Sequence, residues 1–252
     1  MFAREAAGLA STLADFCLPP ACAACFRPRS AREPDLICGR CWLGASVIPS
    51  PQCARCGHPL DTTRRAGPCA WCTLLPPYVR AVRSAYALPG GRSEAIVHAL
   101  KYRGWHRVAR GMARRMAALR FPDDVEHERV ALVPVPLAPS RERERGYNQS
   151  LELARALATH WSLPVRTDLL ARTRATVTQT RLTPGERRRN VSGAFACLGE
   201  RAELRGQHLV LVDDVVTTAA TLNACAAALH YGGVRILSYV TFGRAPAVGD
   251  RW

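Results

Sequence analysis

Four CxxC pairs, Cys22/Cys25, Cys38/Cys41, Cys53/Cys56 and Cys69/Cys72, follow one another with gaps of twelve, eleven and twelve residues. A CxxC turn aims two thiolates at one tetrahedral centre, and two such turns complete a four-thiolate zinc site with Zn–S bonds of about 2.3 Å. Taken in sequence, the pairs predict two zinc ribbons. The likeness of ACAACFRP to QCARCGHP marks an internal repeat, one knuckle before a turn. A disulfide framework is the other use of so many cysteines, but paired CxxC spacing suits a metal better. The N-terminal stretch, which carries Arg4, Glu5 and Asp15, gives no argument for export. Structural zinc contributes roughly 10–16 kcal/mol of apparent binding energy to folds too small for a core of their own. The chain is therefore expected to open with a metal-held module at 17–75 that ends near Pro76-Pro77. Few contacts are expected to cross that boundary. Cys17, Cys197 and Cys225 fit neither ribbon and read as packed thiols, and His58 reads as a turn residue.

Beyond the boundary, apolar patterning alternates between strand and helix periods. Residues 79–88 alternate as a strand. Ser93 can cap a helix whose Ile96, Val97 and Leu100 share a face, and 106–119 continues as a second helical stretch. Residues 130–135 form an apolar strand. A helix from Asn148 or Ser150 is expected to turn Leu151, Ala154, Leu157 and Trp161 inward. Residues 209–213 and Val234 to Phe242 read as strands flanking a helix from Ala219 to His230. This order predicts an α/β domain at 78–244, a parallel sheet with helices on both faces. Ligands of such sheets bind beyond the carboxyl ends of the strands.

One of those ends carries LVLVDDVVTTAAT, residues 209–221. A single aspartate would serve as a helix cap, worth about 0.3–1 kcal/mol; two adjacent carboxylates repel. A ligand rich in hydroxyls resolves the repulsion, because carboxylates only accept hydrogen bonds and sugar hydroxyls donate them. The turn at Thr217, Thr218, Ala219, Ala220 and Thr221 offers hydroxyls and backbone N–H groups at a helix N-terminus, an anion site. Together they describe a place for a phosphoribosyl group.

VLVDDVVTTAAT resembles the phosphoribosyl-pyrophosphate (PRPP) loop of type I phosphoribosyltransferases. The wider chain resembles the ComF family of competence-associated, phosphoribosyltransferase-like proteins. The resemblance rests on the double ribbon, HALKYRG at 98–104, PVPL at 134–137, RERGYNQS at 143–150 and RRRN before GAF at 187–195. It implies a type I phosphoribosyltransferase-like fold, with Asp213 and Asp214 on the ribose hydroxyls and residues 217–221 on the 5′-phosphate. Mg²⁺ would sit between ribose and pyrophosphate with few protein ligands. The family loop reads TTGAT where this chain has TTAAT. If Ala219 requires a positive φ, it costs roughly 1–2 kcal/mol.

A formal charge of +15 comes almost wholly from arginine, Lys101 being the only lysine. Such an excess attracts phosphates. Lys101, Arg103, Arg145, Tyr147, Asn148 and Gln149 are expected around the pyrophosphate, in part on a mobile loop. Arg187, Arg188 and Arg189, accompanied by Arg172, Arg174 and Arg181, read either as a solvated face or as a stripe for single-stranded DNA. Arg27, Arg29, Arg32, Arg55, Arg64 and Arg65 make the ribbons basic. No run approaches the roughly 20 apolar residues of a membrane span, and a cytoplasmic location is expected. The readings are a PRPP/Mg-binding transferase linked to DNA uptake, a non-catalytic adaptor for DNA or competence proteins, and a purine-salvage transferase.

Overall fold

The computed structural model describes residues 20–30, 33–60, 69–102, 104–174 and 193–246. Cys17, Arg32, Arg64, Arg65, Arg103, Arg181, Arg187, Arg188 and Arg189 lie outside the described residues. In chain order the elements are α1 (Gly39–Leu43), β1 (Ala45–Val47), a 3-10 turn (Ala70–Leu74), β2 (Val79–Gly91), α2 (Ser93–Tyr102), α3 (Val108–Ala117), α4 (Asp123–Glu128) and β3 (Arg129–Pro134). There follow α5 (Pro139–Arg145), α6 (Gln149–Trp161), β4 (Leu170–Arg172), β5 (Phe195–Cys197), α7 (Arg201–Leu204), β6 (His208–Val216), α8 (Ala220–Tyr231) and β7 (Ile236–Arg244).

The main sheet has the order β1-β2-β7-β6-β3, parallel except for β1 against β2. β4 and β5 form a separate antiparallel pair. β7 lies at the centre with β6 beside it, and both are buried along nearly their whole length, which is why Leu209 to Val212 of β6 is a continuous apolar run. Alternate residues serve opposite faces. Val210 and Val212 pack with α2, α3 and α6, whereas Leu209 and Leu211 pack with α8.

The ribbons divide between those same faces. Cys22, Ala23, Ile37 and Cys41 are buried in the core that holds Met112 and Phe242. Cys56, Trp71 and Leu75 join the core that holds Val79, Val82 and Tyr239. The two ribbons thus straddle the edge of the sheet, and the chain between them supplies its edge strand, β1. Contacts across residue 76 are many, not few. Trp42 lies under the Arg115 guanidinium, 3.3 Å from the ring centroid, and within 6.4 Å of Tyr86 and 6.2 Å of Phe242. Arg55 donates to the carbonyls of Pro76 (2.7 Å) and Val79 (3.1 Å), and Arg83 to that of Ala54 (2.8 Å). Ser93, predicted as a cap, instead accepts from the Ser46 N–H of β1 at 2.9 Å.

Three local expectations shift. β6 runs on through the acidic pair to Val216, held by its pairing with β7. α6 buries Leu153 with Ala154 and Leu157, while Leu151 and Trp161 are half-buried. Trp161 keeps its indole N–H at the rim, where it donates to the Ala117 carbonyl at 3.3 Å. The arginine-rich 141–145 segment is helical, with Pro139 in the first turn and Gly146 left-handed at φ 84° as its stop.

Candidate functional site

β3 leaves the sheet after Pro134 pairs with Val212, but β6 continues beside β7. This step opens a cavity of about 290 Å³ at the carboxyl ends of the strands. Lys101, Val135, Pro136, Leu137, Gln149, Arg172, Asp213, Asp214, Thr217, Ala219, Ala220 and Thr221 line it. Both carboxylates are buried, 8% and 4% exposed.

Asp213 Oδ1 accepts from Ser150 Oγ at 2.8 Å and from the Asp214 N–H at 2.9 Å. Neither donor belongs to α8, so this carboxylate does not cap that helix. Asn148 sets Ser150 in place. Its Oδ1 accepts the Ser150 N–H at 3.0 Å as the cap of α6, and its Nδ2 donates to the Val135 carbonyl at 3.0 Å. Burial, and then the neighbouring Asp214 charge, push the Asp213 carboxyl up to about 7 against the Ser150 bond. Lys101 Nζ lies 2.7 Å from Asp214 Oδ2. Burial opposes the ammonium, but the Asp214 charge and hydrogen bond outweigh it and raise the Lys101 pKa. The crowding of two carboxylates is therefore relieved by one proton and by the one lysine in the chain.

A pH dependence follows. The folded protein holds the Asp213 proton up to about pH 7, whereas the unfolded chain releases it near about 4. Between these values the folded state binds more protons, so this contribution is full below about pH 4 and is lost as pH rises through about 7. Asp213→Asn keeps an acceptor for both bonds to Oδ1. It is expected to flatten this slope and to raise Tm by a few degrees at about pH 8. Thermal melts at several pH values check this; an unchanged slope in the variant assigns the dependence to another group.

Ala219 is left-handed, at φ 56° and ψ 12°, 3% exposed, and stands at the N-cap of α8 with no side-chain cap. The residue that the sequence left ambiguous therefore does carry the strain. Thr218 Oγ1 in the same turn is buried without a hydrogen-bond partner among the described residues. Ala219→Gly should relieve roughly 1–2 kcal/mol of strain and give back about half of that through the looser unfolded chain. A net rise in Tm of about 2–4 °C is expected by calorimetry. A fall would mean that the Ala219 methyl packing matters more than its backbone.

The other expected site residues are divided. Gln149 lines the cavity and accepts from Arg145 Nη1. Arg145 itself belongs to an adjoining cleft with Lys101, Tyr102, Gly104 and Arg141. Tyr147 donates to the Leu100 carbonyl and meets His106 at 5.8 Å, tying α2 to the start of α6. Two residues went unassigned to the site in the sequence. Ser150 was read only as a helix start. Arg172, grouped with the DNA stripe, lines the cavity from β4, with its guanidinium 5.3 Å from the Phe195 ring and its pKa lowered by burial. The one available signal was its place in an otherwise apolar LLAR run.

Each cysteine tetrad converges. The sulfur atoms within Cys22, Cys25, Cys38 and Cys41, and within Cys53, Cys56, Cys69 and Cys72, lie within 4.8 Å of one another. Cys22–Cys41 and Cys25–Cys38 are 3.8 and 3.9 Å apart, and Cys53–Cys72 and Cys56–Cys69 are both 3.5 Å. Zn–S bonds of about 2.3 Å in a tetrahedron put sulfurs about 3.8 Å apart. The donor sets fit two structural zinc ions, with the pairs taken in sequence.

A family model described as a double zinc ribbon domain matches residues 13–73. The DNA utilization protein YhgH of Escherichia coli O157:H7 is 34% identical over 211 residues, which cover 78% of this chain and 85% of that protein. Competence protein F of Haemophilus influenzae is 33% identical over 133 residues, 53% of this chain and 55% of that protein. Competence protein ComFC of Bacillus subtilis is 27% identical over 198 residues, 77% of each. No helix among the described residues is long and apolar enough to cross a membrane.

Proposed function

The chain belongs to the ComF family, and from that premise we propose that it binds PRPP with Mg²⁺ and serves DNA uptake by handling single-stranded DNA in the cytoplasm. The observation that carries the first part is the meeting, in one cavity, of two buried carboxylates, a left-handed turn opening α8, Lys101 and Arg172. Ribose 2′- and 3′-hydroxyls donate to Asp213 and Asp214. The 5′-phosphate accepts from the N–H groups and hydroxyls of residues 217–221. Lys101 and Arg172 are the cations within reach of the pyrophosphate, and its charge competes with Asp214 for Lys101. Mg²⁺, when bound, neutralises pyrophosphate, and the acidic pair is the donor set in this cavity that suits it. Transfer breaks the C1–oxygen bond to pyrophosphate and joins C1 to an acceptor. Positive charge grows on the ring beside the carboxylates, negative charge on the leaving group beside the cations.

The names of the relatives support the DNA part. A second reading, a non-catalytic adaptor on the same fold, is favoured by one observation: the phosphate turn keeps a strained alanine. Titration calorimetry with PRPP and Mg²⁺, with and without an oligonucleotide, separates the two. Saturable, Mg²⁺-dependent binding supports the first reading. Absence of heat at millimolar PRPP leaves the adaptor.

A further inference from the structure

The packed pair α3 and α6 leaves a groove of about 620 Å³ on the protein surface, remote in sequence from the acidic loop. His106, Arg107, Arg110, Arg114, Arg155 and His160 line it and are exposed, and Glu152 is its one carboxylate. Arg114 is held 3.6 Å from Asp35 and Arg155 3.2 Å from Glu152. The Arg107 and Arg110 side chains have no hydrogen-bond or ion-pair partner among the described residues. At a rise of about 1.5 Å per residue, Arg107 to Arg114 spans about 10 Å of one helix, a row of cations, not a point.

The row does not end blindly. The Lys101–Arg145 cleft, which Gly104 also lines two residues before the groove's His106, shares Lys101 with the site cavity. On the stretch of chain from Lys101 to His106 stand two exposed aromatic side chains, Tyr102 at 61% and Trp105 at 37%. Tyr102 stays exposed although the His98 ring lies 4.7 Å and the Arg145 guanidinium 5.4 Å from its own. Arginines that track a backbone, interleaved with exposed aromatic side chains, are the chemistry of a single-stranded nucleic-acid groove. A duplex hides the base faces that Tyr102 and Trp105 would meet, and a lipid surface is flat where this is concave.

We propose that single-stranded nucleic acid lies along the α3–α6 groove, its phosphates on Arg107 and Arg110 and its bases stacked on Tyr102 and Trp105, so that the strand runs towards the phosphoribosyl cavity. This rests on the DNA-handling part of the function above and is independent of PRPP binding. It also makes Arg187, Arg188 and Arg189 unnecessary for the primary contact.

The test uses full-length protein and a fluorescein-labelled oligo-dT of about twenty nucleotides, followed by anisotropy across a salt series. Arg107→Glu with Arg110→Glu places acids at the start of α3, where the helix dipole favours them, so folding should be kept. Affinity is expected to fall tenfold or more, with the log–log salt slope reduced by about 1.4 for two lost phosphate contacts. Trp105→Ala should weaken binding without changing that slope. PRPP titration of both variants should match wild type, which separates failure here from failure at the cavity. Unchanged oligonucleotide affinity in the charge-reversed variant overturns the proposal. So does wild-type protein that binds a duplex of equal length as tightly, or that releases the oligonucleotide to phosphatidylserine vesicles.

Discussion

Stripping zinc from the full-length protein with a chelator should unfold the whole chain in one transition, ribbons and sheet together. The expectation follows from where the tetrads sit. Cys22 and Cys56 are fully buried, each in a different one of the two cores that flank the sheet. The second ribbon also holds the edge of β2: the Val82 N–H donates to the Arg55 carbonyl at 2.9 Å, and Arg244 at the end of β7 donates to the Cys56 carbonyl. Loss of a structural metal removes roughly 10–16 kcal/mol of apparent binding energy, as much as the whole stability of an ordinary domain. Metal analysis should return two zinc ions per chain. Cys53→Ser with Cys56→Ser should then give poorly folded protein and not a trimmed but intact α/β domain. A second, zinc-independent melting transition that retains the helical circular dichroism would show that the sheet stands without its ribbons.

Replacement of both aspartates, Asp213→Asn with Asp214→Asn, should abolish PRPP binding. Above about pH 7, where the Asp213 carboxyl is ionised, each charge-assisted hydrogen bond to a ribose hydroxyl is worth roughly 1.5–3 kcal/mol, so the pair amounts to about a hundredfold to ten-thousandfold in Kd. The single variants should differ in stability, and this separates the site from a capping role. Asp213→Asn removes a carboxyl that burial already holds protonated to about pH 7, and stability should rise above that pH. Asp214→Asn deprives Lys101 of the partner 2.7 Å away. A cation left unpaired in so sheltered a place is strongly destabilising, so Tm should fall. Calorimetric melting of the two single variants and PRPP titration of the double variant check these outcomes. Equal losses of stability in both single variants, with PRPP affinity untouched, would return the pair to helix capping.

Contiguous chemistry was open to reading in the sequence. CxxC spacing names its metal because the ligands are local: a turn fixes two sulfurs, whatever the rest of the chain does. The strand, carboxylate, turn and helix order of 209–221 was equally legible, since apolar period and turn chemistry act over a few residues. The limits of β6 were not, because pairing with β7, not local propensity, carries the strand to Val216. Nor could the sequence say whether Ala219 is strained, since its φ of 56° is imposed by the junction of strand and helix. Tertiary structure alone joined Ser150 to Asp213 and Lys101 to Asp214, and brought Arg172 to the cavity. It also sent one ribbon to each face of the sheet, where a boundary with few contacts had been expected. The physical reason is the same in each case. Periodicity and spacing report how a segment satisfies itself, whereas partners distant in sequence are chosen by which surfaces must be buried together.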